Sequence, residues 1–354
     1  MPAVSRLTVD LDALAANYRR VIDVAPGAEA APVVKADAYG LGAGPVARRL
    51  WAEGARSFFV ARLGEGERLR AALGPDRNAA IYVLDGCTPG SEAELLAADL
   101  TPVLNSPEQA HRWAAFGVRP AALHVDTGMN RLGLPVEELT ELPAALRIDL
   151  VISHLACAEQ ADHPLNAHQR AVFEAAAGRF PSARRSLANS AGVLLGADFH
   201  QDVVRPGICL YGGGPQGRFD PAVRTVATFE AEVLQVHEVA AGESVGYGAA
   251  FAADRPMTVA VIAAGYADGV LRAGAHGGYG WAGGAPCPML GRISMDLIAV
   301  DISHAAGVGP GSTIELIGDN VHLDGAAERA GTIAYELLVR LGGRAERIYA
   351  GGEG

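Results

Sequence analysis

The chain has 354 residues, enough for two domains or for one large barrel with an appendage. Half of the residues are apolar and 19% are charged, so a large core is available, and the net charge of -11 argues against a nucleic-acid surface, which needs a basic patch. No apolar run approaches the roughly 18 residues of a membrane span, and Met1–Leu14, with Arg6, Asp10 and Asp12, has no apolar core of a secretory leader. Cys87, Cys157, Cys209 and Cys287 lie far apart with no C-x-x-C pair, which fits reduced thiols in a cytoplasmic protein better than a disulfide framework.

In chain order, Leu7-Thr8-Val9 reads as a short strand, and Asp12 as the N-cap of a helix with apolar residues at Leu11, Leu14, Ala15, Tyr18, Val21 and Ile22. Pro32-Val33-Val34-Lys35 reads as a buried strand with a lysine where the strand should end. Taken alone, Lys35 is a lysine that snorkels out of a strand. Its neighbours point further. Tyr39 offers a hydroxyl, and Gly40, Gly42 and Gly44 let backbone come close to a ligand. A buried amine of lowered pKa beside phosphate-type donors suggests a Schiff-base lysine for pyridoxal phosphate.

Apolar strands then alternate with helical patterns. Strands are expected at Val33–Lys35, Phe58–Ala61, Ala80–Leu84, Thr101–Leu104, Ala122–Asp126, Asp149–His154, Ser186–Ala188 and Val203–Arg205, with helices such as Ala43–Glu53, Glu65–Leu73 and Ala167–Arg179 between them. Glu65-Gly66-Glu67-Arg68 reads as a helix start with a solvated face. Eight such units predict a (β/α)8 TIM-type barrel over residues 1–222. Residues 223–354 change pattern: strands are expected near Phe229–Val236, Met257–Ala263, Leu297–Ile302 and Thr313–Ile317, with glycine-rich loops and one helix at Thr332–Leu341, which predicts a smaller, mainly β domain.

In such barrels active residues gather at the C-terminal ends of strands. Those ends carry Lys35, Asp126-Thr127-Gly128-Met129-Asn130-Arg131, His154, Asn189-Ser190 and Arg205-Pro206-Gly207-Ile208. Ser190 and the Gly207-Ile208 amides are placed where this barrel class holds phosphate. His124-Val125-Asp126 puts two ligand-type side chains on one strand face, and with His154 they form a rival metal-hydrolase reading.

The stretches Val34-Lys35-Ala36-Asp37-Ala38-Tyr39-Gly40, Asp126 through Gly133, Arg205-Pro206-Gly207-Ile208, Gly265-Tyr266-Ala267-Asp268-Gly269 and Gly291-Arg292-Ile293-Ser294-Met295-Asp296 together resemble the alanine racemase family. The resemblance covers nearly the whole chain. It implies a pyridoxal-phosphate enzyme that interconverts L- and D-alanine, with Lys35 as Schiff-base lysine and one base and Tyr247 as the other. It implies a head-to-tail homodimer in which Tyr247 reaches the other subunit's barrel. It also implies that Tyr39, Asn189, Ser190, Gly207 and Ile208 serve the cofactor phosphate side, that Arg205 with His154 beside it meets the pyridine nitrogen, and that Arg131 contacts cofactor and substrate. Met295 and Tyr266 would contact substrate. No metal, nucleic acid or membrane partner is implied.

Two positions depart from the family. Where many members carry a lysine modified to a carbamate, this chain has His124, and where many carry a phosphate-contacting tyrosine it has Gly343. The second departure keeps a broader amino-acid racemase open. A decarboxylase of the same two-domain fold and a pyridoxal-phosphate carrier built on the barrel alone are the remaining alternatives.

Overall fold

The structure is a computed structural model that describes residues 4–352. Two compact units are present: Leu14–Leu210 forms one, and the segment up to Ala13 together with Tyr211–Gly351 forms the other.

The chain starts with β1 (Ser5–Asp10) and α1 (Leu11–Val24). The Asp10 carboxylate accepts the amides of Asp12 and Ala13 at 2.9 and 2.8 Å, so the helix cap is Asp10, two residues before the expected Asp12. Leu11, Leu14, Ala15 and Tyr18 are buried, as a helical apolar stripe requires.

The first unit is a parallel barrel. Its strands are β2 (Glu29–Ala30), β3 (Ser57–Val60), β4 (Ala80–Val83), β5 (Thr101–Leu104), β6 (Pro120–His124), β7 (Arg147–Ile152), β8 (Arg184–Ser186) and β9 (Val203–Val204). β3 to β8 pair in sequence order as a six-stranded parallel sheet, and β2 pairs in parallel with β9. Backbone hydrogen bonds close the ring. Val34 N–H donates to Phe59 O at 2.8 Å between β2 and β3, and Arg205 N–H donates to Ala188 O at 2.9 Å between β8 and β9. Strands covered on both faces read as continuous apolar runs, and Phe58, Phe59, Ile81, Val103, Leu123, Leu150 and Val151 are buried. The outer helices include α2 (Ala43–Ala52), α3 (Leu63–Leu73), α4 (Glu92–Ala97), α5 (Pro107–Ala114) and α6 (Pro164–Ala177). The expected barrel is therefore the architecture of this unit. Two ranges move: the first strand lies at Glu29–Ala30 and the seventh at Arg184–Ser186, while the eighth keeps its place at Val203–Val204.

The second unit is mainly β. Its long strand β10 (Ala227–Val239) pairs antiparallel with β1, with β13 (Met257–Ile262) and with β17 (Thr313–Ile317), and a register shift between Val233 and Gln235 lets one strand serve several neighbours. β11 (Ser244–Val245) and β12 (Phe251–Ala252) form a small hairpin. β14 (Tyr279–Ala282), β15 (Ala285–Leu290) and β16 (Ile298–Asp301) complete the sheet with β18 (Glu346–Ala350), which pairs in parallel with β1. The unit has a second helix, Leu323–Arg329, beside the expected one at Ala334–Arg340. Among the described residues the cysteines form no disulfide, and no helix is long and apolar enough to cross a membrane.

The cap of α1 supplies a test. Asp10→Ala removes the acceptor for two helix-end amides and should lower the unfolding free energy by about 1 kcal/mol in urea titrations. Asp10→Asn keeps the oxygen and should recover most of that loss; equal losses in both variants would mean the charge, not the cap, matters.

Candidate functional site

Lys35 is the single lysine of the chain; every other residue among the 29 Lys plus Arg is arginine. The structure places it on a turn, not within a strand. Ala36, Asp37, Ala38 and Tyr39 follow with φ of 52, 56, 53 and 57°, a left-handed turn built from non-glycine residues. Gly40, at φ 85°, closes it, and its N–H donates to Ala36 O. Lys35 is half-buried, and its amine is held below the usual lysine value by burial and by the Arg131 and Arg205 guanidinium groups, against the opposite pull of Glu65 and Asp85.

Arg205 is 4% exposed, and among the described residues no carboxylate forms an ion pair with it. Its guanidinium donates to Ser186 Oγ at 2.6 Å, to Ser153 O at 2.5 Å, to Leu187 O at 3.5 Å and to His154 Nδ1 at 3.4 Å. Burial lowers its pKa to about 10, still high enough to keep it protonated near neutral pH. Because the guanidinium can only donate, His154 must accept through Nδ1. Burial, followed by the nearby Arg205, Arg131 and Lys35 charges, pushes His154 well below its usual value and keeps the ring neutral.

His124 is buried too, and its pKa is lowered to about 4 by burial and by Arg205, with Arg131 adding to the effect and Asp126 opposing it. Its Nδ1 lies 2.8 Å from Asn105 Oδ1. The Asn105 amide nitrogen donates to Leu84 O and Val103 O at 2.9 and 2.8 Å, which fixes the amide orientation. The oxygen therefore accepts from Nδ1–H, and the neutral ring keeps its free lone pair on Nε2. Asp126, the other half of the strand-face pair, accepts the amides of Gly128, Met129 and Asn130 and so orders the loop that carries exposed Arg131. His124 and Asp126 are thus engaged with different partners, and among the described residues no group of His, Cys, Asp or Glu is arranged to hold a metal.

A second corner joins the ends of β2, β8 and β9. Ser190 Oγ accepts the Gly207 amide at 2.8 Å. A Cβ added at Gly207 would fall 2.3 Å from the Tyr39 hydroxyl, so glycine is needed for the backbone to come this close. Asn189 Oδ1 accepts the Gly192 amide at 2.9 Å and shapes the turn after Ser190. Ile208 is buried at the start of the short turn Ile208–Leu210. Gln169, fully buried, ties Thr127 Oγ1 to His154 O and accepts the Ala156 amide.

One unit thus contains Lys35, Tyr39, Arg131, His154, Asn189, Ser190, Arg205, Gly207 and Ile208, while Tyr247, Tyr266 and Met295 belong to the other. Tyr247 lies in the turn between β11 and β12 and is 70% exposed. Tyr266 and Met295 sit on adjoining loops: the Tyr266 and Ala267 amides donate to Ser294 O and Met295 O at 3.1 and 3.0 Å. A Cβ at Gly265 would fall 2.2 Å from Met295 O. Asp268 accepts the Gly265 amide, and Arg344 bridges Asp268 to Asp296. The sequence reading missed Asn105, Gln169, Ser153, Ser186 and Arg344. It read Glu65 as solvated, but that carboxylate accepts backbone amides from Ala36 and Ala61. The count of lysines was the one available signal, and it singles out Lys35.

Residues 9–215 match the family described as alanine racemase, N-terminal domain, and residues 226–349 match alanine racemase, C-terminal domain. An alanine racemase of Rhodospirillum rubrum is 46% identical over 99% of this chain and 96% of its own. A catabolic alanine racemase of Agrobacterium fabrum is 44% identical over 98% of this chain and 92% of its own. The crystal structure of the Bartonella henselae alanine racemase with covalently bound pyridoxal phosphate superposes with a TM-score of 0.93 at 38% identity, covering 99% of this chain and 100% of that one.

The buried imidazole makes a stability prediction. His124 prefers to stay neutral in the fold, with a pKa of about 4 against 6.5 when free. As pH falls the unfolded chain takes the proton first, so stability present above pH 6.5 drains away toward pH 4. His154 shifts in the same direction. Between about pH 7 and about pH 5 the His124 share is about 2 kcal/mol. His124→Gln should lose stability less steeply than the parent over that window in urea titrations; equal slopes would mean His124 takes its proton at the same pH in the folded and unfolded chains.

Proposed function

The chain belongs to the alanine racemase family and is a pyridoxal-phosphate-dependent isomerase. We propose that it interconverts L- and D-alanine by a two-base transfer of the α-proton, with Lys35 on one face and the partner subunit's Tyr247 on the other, in a head-to-tail homodimer of the cytoplasm. The observation that carries the proposal is the single lysine, whose burial and guanidinium neighbours outweigh Glu65 and Asp85 and keep its amine easy to deprotonate.

The residues present fit the cofactor. Arg205 is a buried cation with neutral acceptors around it, and Gly207 leaves an open cradle against the Tyr39 hydroxyl. Tyr39, Ser190, Asn189 and the Gly207-Ile208 backbone would hold the phosphate, Arg205 the ring nitrogen with His154 beside it, and Arg131 the phenolic side. When bound, pyridoxal phosphate draws electrons from the α-carbon of an attached amino acid, so that its proton can leave.

Everything else falls to the chain. Lys35 supplies the covalent amine and, once freed, takes or returns the α-proton at Nζ. The partner subunit's Tyr247 does the same at its phenolic oxygen on the opposite face. Arg205 remains protonated and would donate to the ring nitrogen, which would leave that nitrogen unprotonated and limit side reactions such as transamination. Arg131, the Met295 amide and Tyr266 would orient the substrate carboxylate and narrow the entrance to a small side chain. A racemase of wider range is the second reading: a Cβ at Gly343 meets nothing within 4 Å, so that part of the Tyr266-bearing unit is open.

Racemisation measured over a panel of L-amino acids, with released carbon dioxide followed in parallel, tests the activity; carbon dioxide without racemisation would make it a decarboxylase. Lys35→Ala should be inactive without added amines, and Tyr247→Phe should retain cofactor and lose about 10²-fold in rate, the scale of a missing general base. Mixing the two inactive proteins under subunit exchange should restore activity, since each mixed dimer keeps one intact pair. No recovery despite proven exchange would overturn the shared site. Activity should also be indifferent to removal of dissolved carbon dioxide, because the chain has no second lysine to carboxylate.

A further inference from the structure

The left-handed turn after Lys35 needs a cause. Each L-residue in that conformation costs roughly 1–2 kcal/mol, and here Ala36, Asp37, Ala38 and Tyr39 adopt it in succession. Hydrogen bonds within the segment help: Ala38 N–H donates to Val34 O, Gly42 N–H to Asp37 O and Ala43 N–H to Asp37 Oδ1, at 2.9, 2.8 and 2.7 Å. The amide of Ala36, the first left-handed residue, is held from outside. It donates to Glu65 Oε1 at 2.9 Å. The other oxygen, Oε2, accepts Ala61 N–H at 2.8 Å and Arg62 N–H at 3.3 Å, at the start of α3. One carboxylate therefore joins the backbone beside Lys35 to the end of the neighbouring strand β3.

We propose that Glu65 is a positioning residue for Lys35: its carboxylate fixes the peptide that follows the lysine, and with it the direction in which the amine leaves the barrel wall. The proposal rests on the reading of Lys35 as the reacting amine. A carboxylate suits the role better than a neutral acceptor. It takes amides on both oxygens at once, and it keeps a negative charge near an amine that otherwise faces Arg131 and Arg205, with Asp85 as the other anion.

The test uses full-length Glu65→Ala and Glu65→Gln proteins, with Asp85→Asn as a control that removes a nearby charge and leaves the Ala36 contact in place. Three readouts are taken: kcat and KM for alanine; the pH titration of the holoenzyme's visible band; and the pH profile of Lys35 acetylation in full-length protein freed of cofactor, located by peptide mass. Loss of aim should lower kcat about 100-fold in Glu65→Ala, the cost of a displacement of about 1 Å, with KM much less affected. The acetylation midpoint should move to lower pH in both Glu65 variants, because an anion has gone. Asp85→Asn should shift that midpoint without the fall in kcat. Should Glu65→Ala fail to fold, Glu65→Gln, which keeps one accepting oxygen, carries the same comparison with a smaller fall in kcat. A folded variant that melts lower but keeps parental kcat and acetylation profile would reduce Glu65 to a cap of α3 and overturn the proposal. Borohydride trapping separates the two readings: an adduct on Lys35 in the parent protects the catalytic assignment even then, whereas its absence overturns that assignment and this inference with it.

Discussion

The constraint on which the site depends is a concentration of positive charge that the chain does not neutralise. Arg205 is buried against hydroxyl, carbonyl and imidazole groups. Arg131 and Lys35 act on the same region. Two of the acidic side chains nearby are engaged with backbone: Asp126 orders the Arg131 loop and Glu65 holds the Ala36 amide. A buried cation without a counter-charge is costly, and here the protein has a net charge of -11 from which a partner could have been drawn. Both histidines respond by giving up their protons. An anionic ligand that brings phosphate and carboxylate would complement such an arrangement, which supports the proposed fit to pyridoxal phosphate bearing an amino acid.

Much of the barrel was legible because its strands are buried on both faces, so apolar runs such as Ser57–Val60 and Thr101–Leu104 announce themselves. Lys35 was legible as the end of an apolar run, but its conformation was not. Propensity rules assign right-handed or extended backbone to Ala-Asp-Ala-Tyr, and hydrogen bonds within the segment together with the distant Glu65 carboxylate accompany its left-handed course. The strand in Leu7-Thr8-Val9 was legible in the same local way. Its partners were not, since Ser5–Asp10 pairs with Ala227–Val239 and Glu346–Ala350, more than two hundred residues away along the chain. The helix Leu323–Arg329 went unread because its seven residues include Gly325 and are too short for an apolar stripe to stand out.

The site divides along a similar line. Residues at strand ends could be found by one rule, that such ends share a rim. Residues that hold them in place carry no signature. Asn105 looks like a loop asparagine, Gln169 like a solvated helix residue and Glu65 like a helix start, yet each is defined by backbone groups it meets from distant segments. Motifs report groups that touch ligands; the groups behind them are selected by shape and hydrogen-bond count, which emerge only on folding.

The two imidazoles illustrate how those supporting groups assign chemistry. Histidine is ordinarily the first candidate for proton transfer near neutral pH. Here His154 accepts from a permanently protonated guanidinium, and His124 has its proton fixed on Nδ1 by an asparagine that two carbonyls hold in place. Protonating either ring would add a donor where cations already crowd, so both remain neutral acceptors. The same cations that keep the histidines neutral also weaken the hold of Lys35 on its proton, which supports the proposal that its amine, and not an imidazole, moves the proton.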